Sequence, residues 1–176
     1  MTKSKFNTKQ LVLAALCVAL GVVLPVAFHS IPNAGSVLLP MHIPVLLCGL
    51  VCGPVYGLLS GILTPLLSSM ITGMPPIAYL PGMLCELAAY GLVSGVLWHK
   101  VKHTVPMMYA SLVTAMVAGR LVWGAVRFVL AGLTGSSFPF SAFLSGALLT
   151  AVPGIIAQLI LIPLILTALQ KAKVID

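Results

Sequence analysis

The chain has 176 residues, of which 60% are apolar and only 6% are charged, with nine basic residues, two acidic residues and a formal net charge of +7. Soluble domains carry about a quarter charged residues, so this chain lacks the polar surface that a water-soluble fold needs. At about 20 residues per membrane-crossing helix, the length suits six helices with short connections and leaves no room for a soluble domain. We therefore expect a single six-helix, all-α integral membrane domain over residues 1–176.

Six apolar stretches follow one another along the chain. They span residues 11–28, 38–52, 55–71, 79–98, 107–133 and 143–169. The second stretch is short for a hydrocarbon core about 30 Å thick, which predicts a helix that is tilted, broken or shielded by its neighbours. Gly53-Pro54 predicts a tight turn between the second and third stretches.

The lysines indicate the orientation of these stretches. They lie only before the first stretch, between the fourth and fifth, and after the sixth: Lys3, Lys5, Lys9, Lys100, Lys102, Lys171 and Lys173. Because basic loops stay in the cytoplasm, six spans with both termini cytoplasmic fit this distribution. The scattered positions also argue against a nucleic-acid-binding surface.

The connections on the opposite side contain no Lys or Arg. They cover residues 29–37, 72–78 and 134–142 and are rich in Pro, Gly, Ser and Thr. Functional loops therefore concentrate on the predicted outer face, as expected for a protein that captures a ligand there. Asn33, in the first of these loops, is a candidate ligand contact.

Three ionisable residues lie inside apolar stretches, where charges are costly and face a cavity or a partner. They are Glu86 in the fourth stretch and Arg120 and Arg127 in the fifth. Glu86 and Arg127 have similar predicted depths, so they could pair if their helices are neighbours. With Trp123 between them, the two arginines form a stripe at i, i+3 and i+7 that suits an anionic or aromatic ligand. The alternative is a structural Glu86–Arg127 pair, with Arg120 satisfied by backbone carbonyls.

Two further polar residues are candidates for ligand contact. His42 lies between two prolines at the outer entrance of the second stretch, and Gln158 lies in the sixth. A hydrogen bond between helices is the alternative for Gln158. We expect no metal site and no cofactor, because His42 has no second ligand near it in sequence and the cysteines lack zinc-site spacing.

Small residues predict packing faces. Gly49, Gly53, Gly57 and Gly61 recur every four residues, and Gly91 and Gly95 repeat the spacing, which lets helices approach closely in lipid. Ala15 and Ala19 form a small-xxx-small motif in the first stretch. This motif either packs against the protein's own helices or binds a partner.

Motifs of enzymes are missing from the sequence. The chain has no GxxxxGK[ST] loop, so we do not expect it to hydrolyse ATP itself. It also contains neither a nucleophile elbow nor an HExxH motif. We therefore do not expect an enzyme.

The sequence resembles the substrate-binding S components of energy-coupling factor (ECF) transporters, which are small six-helix bacterial vitamin-capture subunits. The resemblance rests on the size, the predicted topology, the Ala15–Ala19 motif and a long specific segment. That segment runs from Leu39-Pro-Met-His-Ile-Pro44 through Cys52-Gly-Pro-Val-Tyr-Gly57 to Thr72-Gly-Met-Pro-Pro76. Ala118-Gly-Arg-Leu-Val-Trp-Gly124 and Ser141-Ala-Phe-Leu-Ser-Gly146 fit the family as well.

The resemblance implies a subunit of the bacterial cytoplasmic membrane that binds a vitamin-like molecule from outside. It implies docking, through Ala15 and Ala19, on a transmembrane coupling protein that carries two ATPase subunits. The two arginines favour an anionic ligand, and pantothenate suits both them and the subgroup that the sequence is most similar to. Cobalamin, pyridoxine and queuosine precursors stay open. The competing hypothesis is a stand-alone secondary carrier that is coupled to protons through Glu86.

Overall fold

The computed structural model describes residues 8–27, 37–101, 103–146 and 150–174. Within these ranges every regular element is helical. In chain order the helices are α1 (Thr8–Ala27), α2 (His42–Cys52), α3 (Pro54–Thr72), α4 (Leu80–Trp98), α5 (Val105–Leu133), α6 (Phe140–Leu144) and α7 (Val152–Lys171). The candidate Asn33 lies outside the described residues.

Five of these helices, α1, α3, α4, α5 and α7, are long and apolar enough to cross a membrane. The helix α2 has 11 residues, of which eight are buried. The short second stretch therefore forms a helix that its neighbours shield, which was one of the alternatives for this stretch. Gly53 and Pro54 separate α2 from α3, and Gly53 has a φ of 98°, a left-handed conformation that favours glycine.

Glycines bring α3 and α4 into direct backbone contact. A Cβ atom on Gly57 would overlap the carbonyl oxygen of Gly91, and one on Gly91 would overlap Gly57 in the same way. One turn further along, a Cβ on Gly61 would overlap the backbone of Leu87. The predicted glycine packing faces are thus confirmed, and they account for the extensive α3–α4 interface.

The core forms around α2. Val45, Leu46 and Leu50 pack with α4 and α5 on one side and with Ile162 and Leu166 of α7 on the other. By contrast, α1 has only Ala14 and Gly21 buried among its 20 residues. It packs on α2 and α3 and leaves most of its surface exposed.

The sixth apolar stretch, residues 143–169, does not form a single helix from end to end. The short helix α6 ends at Leu144, and α7 begins only at Val152. Pro153 lies in the first turn of α7. The N–H groups of this turn have no partner within the helix, so proline loses no hydrogen bond there, and its fixed φ favours the start of a helix. Apolar composition alone could not reveal this break, because the residues on both sides of it are hydrophobic.

The ends of the bundle differ in composition. Residues 73–79 and 134–139 lie together at one end, here called the proline-rich end. Lys9, Lys100, Lys171 and Lys173 lie at the helix ends on the other side, here called the basic end.

Candidate functional site

Four of the predicted site residues line the interface between the antiparallel helices α4 and α5: Glu86, Arg120, Trp123 and Arg127. Starting at the proline-rich end, Arg127 Nη1 donates a hydrogen bond to the Ala78 carbonyl at 3.3 Å. One turn deeper, Gly82 leaves room for Trp123, whose Cδ1 would lie 3.3 Å from a Cβ on that glycine. Another turn deeper, Arg120 meets Glu86. The interface therefore orders these residues in two layers.

The deeper layer, here called the inner cluster, is a buried polar network on α2, α4 and α5. Glu86 Oε1 accepts a hydrogen bond from Arg120 Nη1 at 2.9 Å and lies 3.4 Å from His42 Nε2. The His42 ring also packs edge-on against Tyr90, with ring centroids 5.1 Å apart. Glu86 and His42 are almost completely buried, so the carboxylate is satisfied from two helices at once.

The expected proximity of Glu86 and Arg127 is wrong, because Arg120 is the ion-pair partner of Glu86. Glu86 and Arg127 lie at similar distances from the outer ends of their own helices, but those ends are not level, because α5 has 29 residues and α4 has 19. The outer part of α5 extends past the start of α4, so Arg127 lies level with Ala78 and Tyr79. Arg120 pairs with a carboxylate through Nη1 rather than with backbone carbonyls, and its Nε and Nη2 atoms are buried without a partner within the described residues.

Gln158 is fully buried on the face of α7 that packs against α2. One turn before it, Gly154 contacts the backbone of Val37 and Leu38, and one turn after it, Ile162 joins the core. Neither amide atom of Gln158 has a hydrogen-bond partner within the described residues, and the same holds for His42 Nδ1. These buried polar atoms are available to a ligand or to residues beyond the described ranges.

The layer nearer the proline-rich end, here called the outer cluster, surrounds Arg127 with aromatic rings. Its guanidinium carbon lies 4.8 Å from the ring centroid of Tyr79 and 5.5 Å from that of Phe138. The Nε atom is buried and has no hydrogen-bond partner, and no carboxylate pairs with Arg127 within the described residues. A charged group in this state is ready to bind an anion.

Trp123 connects the outer cluster to the segment that follows α5. Its ring meets Phe138 edge-on at 5.8 Å between centroids and stacks against Phe143 at 6.1 Å. Gly146 allows this segment to approach, because a Cβ there would lie 3.0 Å from Trp123 Cη2. The segment of residues 138–146 therefore closes over one side of Trp123.

Sequence reasoning identified Trp123 and Arg127 but missed Tyr79, Phe138 and Phe143. A usable signal was present, because four of the six phenylalanines fall within residues 128–143. Phenylalanines clustered around Pro139, in and beside a predicted outer loop, indicate an aromatic wall for a ligand site at the outer face.

The small-xxx-small residues Ala15 and Ala19 lie on the exposed side of α1. Ala14 is the residue of this segment that packs inward, against Cys48, Cys52 and Tyr56. The motif was expected either to pack against the protein's own helices or to bind a partner. The exposure of Ala15 and Ala19 favours binding of a partner.

Comparison with known proteins gives one family. A family model described as "ECF transporter, substrate-specific component" matches residues 9–166, which is most of the chain. Neither the curated proteins nor the solved structures contain a match. Because the matched range takes in α1 to α5, the inner and outer clusters and most of α7, the chain belongs to the substrate-specific components of ECF transporters.

Proposed function

We propose that this substrate-specific component captures a small organic anion of vitamin-like size at the proline-rich end of the bundle, with Arg127 as the group that binds the anionic end. Trp123, Tyr79 and Phe138 line the site and contact the body of the ligand. Pantothenate is one candidate of this class. Arg127 and Trp123 are placed to act together because the α4–α5 interface holds both on one side.

The observation that carries this proposal is the unequal environment of the two arginines. The chain contains two acidic residues, Glu86 and Asp176, and the carboxylate of Glu86 is held by Arg120. Arg127 lies in a span with aromatic rings over its guanidinium and has no carboxylate partner within the described residues. Uncompensated cations are costly inside a membrane, and such residues mark substrate pathways.

The inner cluster then acts as the floor of this site. Glu86 fixes Arg120, and through it the register of α4 against α5, which sets the position of Trp123 and Arg127. His42 and Gln158 keep unpaired polar atoms and are candidates for direct ligand contact. Asn33, which precedes α2 in the sequence, is a further candidate.

We further propose six membrane crossings, with α2 as the sixth, and both termini in the cytoplasm. The lysines Lys9, Lys100, Lys171 and Lys173 lie at one end of the bundle, and the positive-inside rule assigns that end to the cytoplasm. The proline-rich end would then face outward in a bacterial cytoplasmic membrane. Fusion of a periplasm-active reporter after residue 135 should give activity, and the same fusion after residue 101 should give none.

We propose that inward release is driven by separate ATPase subunits, and this chain itself has no nucleotide-binding loop. We propose that the exposed Ala15–Ala19 face of α1 docks on a transmembrane coupling protein that carries two ATPase subunits. Small exposed side chains let another helix approach closely in lipid, which supports this assignment.

The alternative of a proton-coupled carrier is less well supported, since Glu86 is held by Arg120 at 2.9 Å rather than facing an open path. Uptake assays separate the two readings. Uptake that needs the ATPase module favours the proposed function. Uptake that persists without ATP and follows the proton gradient would overturn it.

The decisive experiment identifies the ligand that copurifies with the protein by native mass spectrometry and then measures its binding to Arg127 variants. Arg127→Gln should lower affinity by tenfold or more, because hydrogen bonds to charged groups contribute about 1.5–3 kcal/mol. Arg127→Lys should fall between Gln and the wild type, since it keeps the charge and loses the planar fork. Arg127→Gln binding within twofold of wild type would show that Arg127 is structural.

A further inference from the structure

An apolar groove lies on the exposed flank of α5 beside the outer cluster. It has a volume of about 330 Å³, and only apolar residues line it: Leu121, Gly124, Ala125, Phe128, Phe138, Phe140 and Phe143. Phe128 and Phe140 are 70% and 75% exposed, so the groove opens sideways. Its walls come from α5 and from the α6 segment, which leans against the helix at Gly124.

The groove and the outer cluster share two walls. Phe138 lines the groove and also lies 5.5 Å from the Arg127 guanidinium. Phe143 lines the groove and stacks on Trp123. A molecule in the groove is therefore separated from the guanidinium of Arg127 by the ring of Phe138.

The groove also has a direction. Its lining residues begin level with Arg127, at Phe128, and continue two turns along α5 to Leu121, a distance of about 10 Å. The charged contact thus lies at the proline-rich end, and the apolar part extends toward the middle of the span. Small-molecule sites are mostly apolar with a few placed polar groups, and this arrangement has that character.

We propose, on the basis of the proposed function, that the ligand is an amphipathic monocarboxylate whose carboxylate binds Arg127 and whose hydrocarbon or ring body fills this groove. The Ala78 carbonyl accepts from Nη1 of Arg127, and the buried Nε keeps a donor without an acceptor, so the guanidinium can still bind a carboxylate. A body with several hydroxyl groups, such as that of pantothenate, fits the groove less well, because every described side chain that lines it is apolar.

The test uses straight-chain carboxylates from butanoate to decanoate, with pantothenate as a polar probe, on the full-length protein in lipid nanodiscs. Binding is read from Trp123 fluorescence in a Trp98→Phe background, where Trp123 is the only tryptophan. Calorimetry on protein that retains Trp98 provides a second measurement if that background is unstable. Ala125→Leu fills the groove, and Ala110→Leu, at an exposed position of the same helix outside it, is the matched control.

The expected result is an affinity that rises about fourfold per added methylene until the groove is full. Ala125→Leu should end this rise at a shorter chain, while Ala110→Leu should follow the wild type and thereby correct for partition into lipid. Arg127→Gln should lower the affinity of every chain length by a similar factor.

Each failure has a distinct meaning. Affinity that depends on Arg127 but not on chain length, or tighter binding of pantothenate than of octanoate, would overturn this inference and leave the proposed function in place. Equal binding of methyl esters and acids, together with quenching by brominated phosphatidylcholine that Ala125→Leu abolishes, would show that a bilayer acyl chain occupies the groove. Loss of Arg127 dependence for all probes and for the copurified ligand would count against the proposed function itself.

Discussion

Glu86 and Arg120 form a 2.9 Å ion pair between α4 and α5, and their side chains are 3% and 12% exposed. His42 approaches the same carboxylate oxygen from α2. Three helices therefore meet at one acidic side chain. Since this acid is buried among hydrophobic helices, its satisfaction depends on all three helices keeping their register.

Glu86→Gln should destabilise the protein strongly, because it leaves Arg120 as a buried cation without a counter-charge. Breaking a buried ion pair by removing one partner costs about 3–5 kcal/mol. The thermal unfolding midpoint of purified protein in detergent should fall accordingly. The double variant Glu86→Gln/Arg120→Gln should recover part of the loss. A double variant no more stable than the single one would contradict the pairing as the cause.

Gly91→Val should separate α3 from α4, since any side chain at this position overlaps the backbone of Gly57. Overpacking of a well-packed interface costs about 1–3 kcal/mol, and here the obstacle is backbone that cannot move aside. Thermal unfolding again provides the measurement. The matched control is Gly132→Val on α5, where a Cβ meets nothing within 4 Å. Equal effects of the two changes would show that helix propensity, rather than helix approach, is responsible.

Gly82→Ala should weaken ligand binding more than it changes stability. Its Cβ would lie 3.3 Å from Trp123 and 3.4 Å from the Arg127 side chain, so both must shift slightly. A cost of roughly 1 kcal/mol for such overpacking corresponds to about a fivefold loss of affinity. Binding of the copurified ligand is the readout. Unchanged affinity would mean that the ligand does not contact this part of the outer cluster.

Ala15→Leu should abolish ATP-driven uptake and leave ligand binding intact, because the added side chain projects from the exposed face of α1. Uptake by cells that contain the coupling module and binding to the purified subunit are measured in parallel. Ala27→Leu, at an exposed position near the other end of the same helix, is the control. Loss of binding together with uptake would assign Ala15 to the fold rather than to docking.

The helical framework was largely predictable from the sequence, because long apolar runs and glycine spacing act locally. The predicted ranges 55–71 and 79–98 lie within one residue of α3 and α4 at each end. The family resemblance also pointed to the family that the comparison confirmed.

The partners of the charged residues were not predictable in the same way. The pairing of Glu86 with Arg120 depends on how far α5 extends past α4, which no local pattern encodes. The contact between His42 and Glu86 joins residues 44 positions apart. The break between α6 and α7 lies between two apolar segments, so hydrophobicity could not reveal it.

The pairing of Glu86 with Arg120 also fixes the charge that the helices carry through the bilayer. Apart from Lys9 and Lys171 at the basic end, the described spans carry three charged residues: Glu86 and Arg120 cancel, and Arg127 leaves a balance of one positive charge. A bound monoanion on Arg127 would bring that balance to zero. The loaded site would then place less net charge in the low-dielectric interior, at a smaller electrostatic cost, than the empty one.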